Sequence, residues 1–251
     1  MPAAATHADH EEEVLDIDQI LGDAKSRLTP EQQAWLGAKE NSIVRGDLQT
    51  QKIQLYDELA GFWRDTARVF EPYIYYLGEK SKLENSEKNL TFAAHLYLRQ
   101  LKTVEQHALQ VWMANQAAGL FRQALELNPA NDSSRVGLGS CYIFGASGAS
   151  SPMEGIQKIL EVVNEHPDNI YGQFMLGYGG IMTGQYDKAA ERLLTVTRAD
   201  PDNSEAVFLL AEAYERNGDN AKAAEWYEKG KRFVQNPELL TEIDKRIKAL
   251  K

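Results

Sequence analysis

The sequence predicts an all-α fold of stacked antiparallel helix pairs. Three observations support it: a repeat of 34 residues, apolar residues at helical spacing, and no alternating pattern long enough to build a sheet. Four pairs of identical residues lie 34 positions apart: Gly184 and Gly218, Leu176 and Leu210, Ala189 and Ala223, and Pro167 and Pro201. A repeat of this length is typical of helix–turn–helix units, which bury their apolar faces against their neighbours.

The chain begins with two segments that carry no repeat. Residues 1–10 are small and polar and predict a disordered tail. Residues 11–47 predict an acidic helical segment, because apolar residues recur at helical spacing within an acidic run, at Val14, Ile17 and Leu21. Two roles are open for the helix over 11–24. It either caps the end of the stack, or it detaches and docks in a groove or on a basic partner.

A second helix is expected from about Pro30 toward Arg45, because Thr29 and Gln32 have the spacing of a capping box. Residues 48–114 then predict divergent helical hairpins. Their first apolar face comprises Leu55, Leu59, Phe62 and Trp63, and Pro72 falls in the first turn of the following helix. The segment 87–112 is helical throughout, as either one long helix or two.

The pattern is clearest in the second half of the chain. A helix over 114–127 ends before Pro129, and a last helix over about 237–250 closes the chain. Between them, six helices are expected near 132–145, 153–165, 169–183, 186–199, 204–217 and 220–233. The Gly- and Ser-rich stretch 145–152 lengthens one loop, which accounts for the 38 residues between Leu138 and Leu176.

The repeated positions combine small residues, aromatic residues, glycines and prolines in a fixed order. The two clearest units carry Leu176-Gly177, Gly184, Tyr186, Ala189 and Pro201, then Leu210-Ala211, Tyr214, Gly218, Ala223 and Tyr227. This pattern resembles the tetratricopeptide repeat family over residues 115–237. The resemblance implies a right-handed α-solenoid, with degenerate repeats in 48–114 and a C-terminal capping helix in 238–251. It also implies a non-catalytic protein–protein interaction module: a scaffold, adaptor or assembly factor.

In this family the first helix of each pair lines a concave face, and the resemblance therefore implies where a partner would bind. The expected partner-binding residues are Phe144, Tyr171, Phe174, Tyr178, Met182, Phe208, Glu212 and Arg216. Aromatic and methionine side chains are favoured anchors for a peptide or helix. The alternative is a self-associating structural module, whose groove is filled by its own N-terminal helix or by a second copy. The oligomeric state is open.

Composition excludes several classes of partner. The chain has 37 acidic and 27 basic residues and a net charge of −10, which disfavours binding to nucleic acid. The family's clamp for acidic C-terminal tails needs basic residues, and its positions hold Val136, Ser140, Met175, Glu205 and Leu209. No apolar run is long enough to span a membrane, and the N-terminus has no secretory signal. With a single cysteine, these features predict a cytoplasmic protein.

No residue constellation indicates catalysis, a cofactor or a metal site. His7 and His10 could chelate a metal only by chance, because the other ligands are missing. Cys141 has no neighbouring base and is expected to be a small buried residue. The glycines of 177–180 lie within a predicted helix and lack the Gly-Lys-Ser/Thr of a phosphate loop, so they predict a close helix contact.

Overall fold

A computed structural model describes residues 15–42, 49–145 and 151–251 of the chain. These ranges contain thirteen α-helices and no β-strand, which confirms the predicted all-α fold of stacked helix pairs. The chain divides into two compact units, with the boundary after Gln123. Three predictions lie outside the described residues. They are the disordered tail over 1–10, the break at Gly46-Asp47 after the helix that begins near Pro30, and the interior of the 145–152 loop.

The first unit contains six α-helices and one π-helix. They are α1 (Ile17–Ser26), α2 (Pro30–Glu40), α3 (Gln49–Gly61), the π-helix (Phe62–Ala67), α4 (Phe70–Glu84), α5 (Glu87–Leu101) and α6 (His107–Leu127), whose last residues enter the second unit. The segment 87–112 is therefore divided between two helices. The helix expected over 114–127 is the second part of α6.

Local hydrogen bonds explain where the first helices begin. Thr29 Oγ1 accepts from the Gln32 amide at 3.3 Å, and Gln32 Oε1 accepts from the Thr29 amide at 3.0 Å. This confirms the predicted capping box at the start of α2. Asp16 and Gln19 form a second capping box at the start of α1, which the sequence analysis did not predict.

The core of the first unit is built from large side chains. Trp63 and Leu59 are fully buried, and Leu36 of α2 lies in the same cluster. A polar network links three helices at its edge: Lys25 Nζ lies 2.8 Å from Glu40 Oε2, and the Tyr76 hydroxyl donates to Glu40 Oε1 at 3.1 Å. The acidic N-terminal helix α1 thus packs within the first unit, where it also contacts α4.

The second unit contains seven α-helices after the end of α6. They are α7 (Asp132–Ile143), α8 (Pro152–Glu165), α9 (Ile170–Met182), α10 (Tyr186–Ala199), α11 (Ser204–Arg216), α12 (Asn220–Gly230) and α13 (Pro237–Ala249). A 3₁₀ turn over Lys231–Phe233 joins the last two. Consecutive helices from α7 to α13 pack against each other, as expected for a stack of helix pairs.

The repeated glycines end the first helix of each pair. Gly184 and Gly218 have φ of +75° and +80°, a conformation that side-chain-bearing residues rarely adopt. In both turns the chain forms the two bonds of a Schellman motif. Gln185 N donates to Gly180 O at 2.7 Å and Gly184 N to Ile181 O at 3.2 Å, with equivalent bonds after α11.

Asparagine begins the first helix of each pair. The side chains of Asn131, Asn169 and Asn203 accept a hydrogen bond from the amide three residues later, at 2.9, 2.8 and 2.9 Å. Asn169 and Asn203 lie 34 residues apart, as Gly184 and Gly218 do, and Asn131 lies 38 residues before Asn169; these caps were not identified from the sequence. They satisfy backbone donors that the helix itself leaves unpaired.

Glycine within the helices permits close packing, as predicted for 177–180. A Cβ atom at Gly177 would lie 2.5 Å from Leu193 Cγ of α10, and one at Gly180 would lie 3.0 Å from Ala189 Cβ. Any larger residue would force α9 and α10 apart.

Candidate functional site

The residues expected to bind a partner lie on three first helices of the second unit or directly after them. Phe144 follows α7, and α9 carries Tyr171, Phe174, Tyr178 and Met182. Phe208, Glu212 and Arg216 belong to α11, which packs on α9 as well as on its neighbours in sequence. Their exposure separates them into packed and accessible residues.

Two of the predicted aromatic residues are buried. Phe144 is 6% exposed and Phe174 is 9% exposed. The Phe144 ring lies 5.4 Å from the ring of Tyr178, centroid to centroid. At this end of the predicted groove the phenylalanines therefore pack within the unit.

Tyr171 and Tyr178 are partly buried. Burial raises the pKa of Tyr171 well above its usual value, opposed by a hydrogen bond with Ser140. Burial also raises the pKa of Tyr178, and the nearby carboxylates of Glu205 and Glu212 act in the same direction. Both tyrosines therefore remain neutral at physiological pH. Tyr178 lies near the acidic residues of the next first helix.

Met182, Glu212 and Arg216 are more accessible. Met182 is 58% exposed at the end of α9. Glu212 and Arg216 form an ion pair along α11, with Oε1 and Nε 2.8 Å apart, and the guanidinium lies over the Tyr186 ring. An exposed pair of this kind stabilises a helix only slightly, so both side chains can take other partners.

A cavity of about 570 Å³ lies between α11, α12 and α13. Its apolar wall includes Phe208 and Leu209 from α11 and Leu239 and Ile243 from α13. Leu239 is 49% exposed, so part of this apolar wall is accessible to solvent. The Phe208 ring also rests against α12, because a Cβ atom at Gly230 would lie 2.7 Å from its Cε1 atom.

The rim of this cavity is acidic. Glu205, Glu212 and Glu242 line it, and Arg246 is the cationic residue beside them. Arg246 Nε already bonds Glu215 Oε2 at 2.8 Å, and the Tyr227 hydroxyl donates to the same oxygen at 2.8 Å. Burial and this carboxylate raise the pKa of Tyr227. The three side chains fasten α13 to α11 and α12 and leave the three rim carboxylates accessible.

Phe208 and Glu212 were predicted from the sequence, whereas the α13 side of the cavity was not. The sequence predicts 238–251 only as a capping helix, and a cap needs no inner face. The i, i+4 spacing of Leu239 and Ile243 is the signal that identifies a second apolar wall.

The described parts of the chain were also searched for a metal site, a reactive thiol and a membrane-spanning helix. Across residues 15–42, 49–145 and 151–251, no three His, Cys, Asp or Glu side chains are close enough to hold a metal ion. Cys141 is a fully buried thiol, as expected from the sequence. Within the same ranges, no helix combines the length and the apolar character that crossing a membrane requires.

Comparisons with known proteins agree with the resemblance seen in the sequence. A family model described as "Tetratricopeptide repeat" matches residues 183–236. No curated protein matches the chain.

Two solved structures show the same fold. TTC0263, a thermophilic TPR protein in Thermus thermophilus, is similar with a TM-score of 0.53 and 16% identity over 81% of this chain and 98% of that one. YrrB, described as a TPR protein with an unusual peptide-binding site, has a TM-score of 0.50 and 17% identity over 83% and 98% of the two chains.

Proposed function

We propose that the chain binds a segment of another protein without catalysing a reaction, and the match of residues 183–236 to the tetratricopeptide repeat model supports this proposal. The binding site in this proposal is the cavity between α11, α12 and α13 in the second unit. The observation that carries it is the combination of an apolar wall with an exposed Leu239 and an acidic rim. Proteins of this fold are generally interaction scaffolds.

The lining of the cavity defines the chemistry of the segment it would bind. Phe208, Leu209 and Ile243 offer a surface for one large apolar side chain. Glu205, Glu212 and Glu242 favour a lysine or arginine beside that side chain, since opposite charges across an interface favour association. An acidic segment would be repelled by the same carboxylates.

The remaining predicted residues take a supporting role in this proposal. Met182 and Arg216 are exposed at the ends of α9 and α11, and Tyr178 lies close to the rim carboxylates Glu205 and Glu212. Phe144 and Phe174 hold the first helices in place behind this surface. YrrB's description as a peptide-binding protein supports a peptide as the ligand, because the two chains share a fold.

A displayed library of random peptides tests the proposal. Selection on the intact chain is expected to enrich sequences in which a large apolar residue is next to lysine or arginine. Glu212→Lys should weaken the selected peptides at least about tenfold, because it replaces attraction at the rim by repulsion. The matched control is Glu191→Lys on α10, which makes the same charge change at an exposed position that does not line the cavity.

Two outcomes would contradict the proposal. One is enrichment of acidic peptides or of no sequence class at all. The other is an equal loss of affinity in the two charge-reversed variants, which would indicate general electrostatic attraction. The place of action in this proposal is the cytoplasm, in keeping with a single buried cysteine.

A further inference from the structure

The first unit contains a cleft of its own, outside the residues matched by the family model. It has a volume of about 710 Å³ and lies between α2 on one side and the end of α3 with the π-helix on the other. Its walls combine stacked aromatic rings with carboxylates, a combination suited to a specific ligand chemistry.

The aromatic part of the cleft is a stacked pair. The rings of Trp35 and Phe62 lie 4.7 Å apart, centroid to centroid, and 18° from parallel. Phe62 is 8% exposed and belongs to the core, whereas Trp35 is 38% exposed and forms the accessible surface. The face of an indole ring carries negative potential and attracts cations.

Three carboxylates surround these rings. Glu31 lies on α2, Glu58 on α3 and Asp65 on the π-helix, and Lys39 is the cation that lines the cleft with them. Glu58 pairs with Lys39, and Asp65 pairs with Arg64 at 2.8 Å. The Glu31 backbone amide and the Thr29 side chain donate hydrogen bonds to the Glu31 carboxylate and hold its pKa below the usual value. The lining therefore carries more negative than positive charge.

Lys39 shows which interactions the cleft offers to a cation. Its ammonium nitrogen lies 5.7 Å from the centroid of the Trp35 ring while it pairs with Glu58. The side chains of both members of this pair are exposed, 36% for Lys39 and 50% for Glu58. Exposed pairs contribute little stability, so another cation can replace Lys39 at modest cost.

The π-helix supplies the opposite wall. A π-helix is rare and occurs frequently at functional sites. Here it places Phe62, Asp65 and Thr66 along one side of the cleft, and it ends at Arg68 in a left-handed conformation with φ of +56°.

We propose that this cleft binds the guanidinium or ammonium group of a basic side chain on a partner polypeptide, in the place that the Lys39 ammonium occupies. The guest cation lies against Trp35 and pairs with Glu58, and the carboxylate of Glu31 adds to the negative charge of the lining. The site is separate from the cavity of the second unit, and its failure would leave the function proposed for that cavity untouched.

Charge selects this occupant over the others that an aromatic cleft could bind. The chain's own N-terminal segment has seven acidic residues and no lysine or arginine between positions 9 and 23, and it would be repelled by the same carboxylates. A neutral apolar segment would gain no attraction from the carboxylates of Glu31 and Glu58, whereas a cation would.

The test uses the full-length chain and an octapeptide of alternating glycine and arginine. The same octapeptide with citrulline in place of arginine keeps the shape and removes the charge. Calorimetric titration gives the affinity, and the indole N–H resonance of Trp35 reports the location. The arginine peptide should bind at least about fivefold more tightly than the citrulline peptide and shift the Trp35 resonance.

Variants with opposite expected effects separate this site from general attraction to an acidic protein. Glu31→Gln combined with Glu58→Gln should weaken the arginine peptide about fivefold. Lys39→Met should strengthen it, because it removes the competing cation. The matched control neutralises two exposed carboxylates of the second unit, Asp187→Asn with Glu191→Gln, and should leave the affinity nearly unchanged.

Equal binding of the two peptides would overturn the proposal. So would weaker binding in Lys39→Met, or an equal loss in the control. Urea unfolding of every variant shows whether the fold is intact, and all the altered charges are exposed or partly exposed.

Discussion

The two units build the same kind of helix stack in different ways. In the second unit the left-handed positions at helix ends are glycines, Gly184 and Gly218 among them, and asparagines cap the first helices. In the first unit the left-handed positions are Arg68 and Asn85, and the side chain of Val69, the residue before α4, cannot accept a hydrogen bond. The local signals of the second unit repeat from one helix pair to the next, whereas the capping boxes of α1 and α2 in the first unit do not recur, and its core is built from large side chains.

This difference explains why the repeat pattern is recognisable in the sequence of the second unit and not in that of the first. A repeated glycine or asparagine serves one backbone requirement and recurs at the same spacing. A core built around Trp63 and Tyr97 can be assembled in many ways and leaves no period. The surfaces that the two units offer to a ligand also differ. The second unit has a cavity with an apolar wall, and the first has a stacked aromatic pair surrounded by carboxylates.

The largest expected effect separates packed from accessible residues on α9. Phe174→Ala should lower the free energy of unfolding by about 3–5 kcal/mol, because it removes a buried ring and leaves a cavity. Met182→Ala, at a position 58% exposed, should change it by less than about 0.5 kcal/mol. Urea unfolding measures both. A Phe174→Ala chain of unchanged stability would show that this ring is a free binding surface.

The next effect tests how the units end their helices. Gly184→Ala should destabilise the chain by about 1–2 kcal/mol, because alanine resists a φ of +75°. Arg68→Gly should do the reverse and stabilise it by a smaller amount, since it relieves the same conformation in the first unit. Both are measured by urea unfolding. Two changes of the same sign would contradict the comparison.

A smaller effect is expected at the asparagine caps. Asn203→Ala should cost about 1 kcal/mol, because the Ala206 amide loses its 2.9 Å bond to the Asn203 side chain. Asn203→Asp keeps the acceptor and serves as the control. Thermal melting of the two variants measures the difference. Equal melting temperatures would show that water replaces the cap at no cost.

The smallest effect is expected at the exposed ion pair of α11. Arg216→Ala should change the unfolding free energy by at most about 0.5 kcal/mol, because the Glu212 pair is at the surface. Fluorescence-monitored urea unfolding is precise enough to detect it. A loss of more than about 1 kcal/mol would assign Arg216 a structural role through Tyr186.

The helices beyond Pro129 were predictable to within a few residues. In that region the 34-residue period and the positions of the glycines and prolines indicate the same helix boundaries, and the structure places α7 to α13 close to them. The π-helix was not predictable, since its residues 62–67 continue the apolar pattern of α3 and only long-range packing selects the wider turn. The division between α5 and α6 was open for a similar reason, because residues 102–106, which are polar except for Val104, fit an exposed helical turn equally well.

The candidate site shows the same limit. The resemblance implies that residues of α9 and α11 off the pairwise packing stripe line the inner face, and Phe208 and Glu212 are among the residues that line the cavity. It does not show which of these residues a third helix covers, and Phe144 and Phe174 are buried. Exposure on the inner face depends on contacts between helices distant in sequence.

Methyl resonances of the full-length chain test directly whether the cavity between α11, α12 and α13 binds a library-selected peptide. The methyl resonances of Leu209, Leu239 and Ile243, which line this cavity, should shift as the peptide is added. The methyl groups of Leu193 and Val196, buried in α10, should stay in place. Shifts confined to α8 and α10, with Leu239 and Ile243 unchanged, would contradict it.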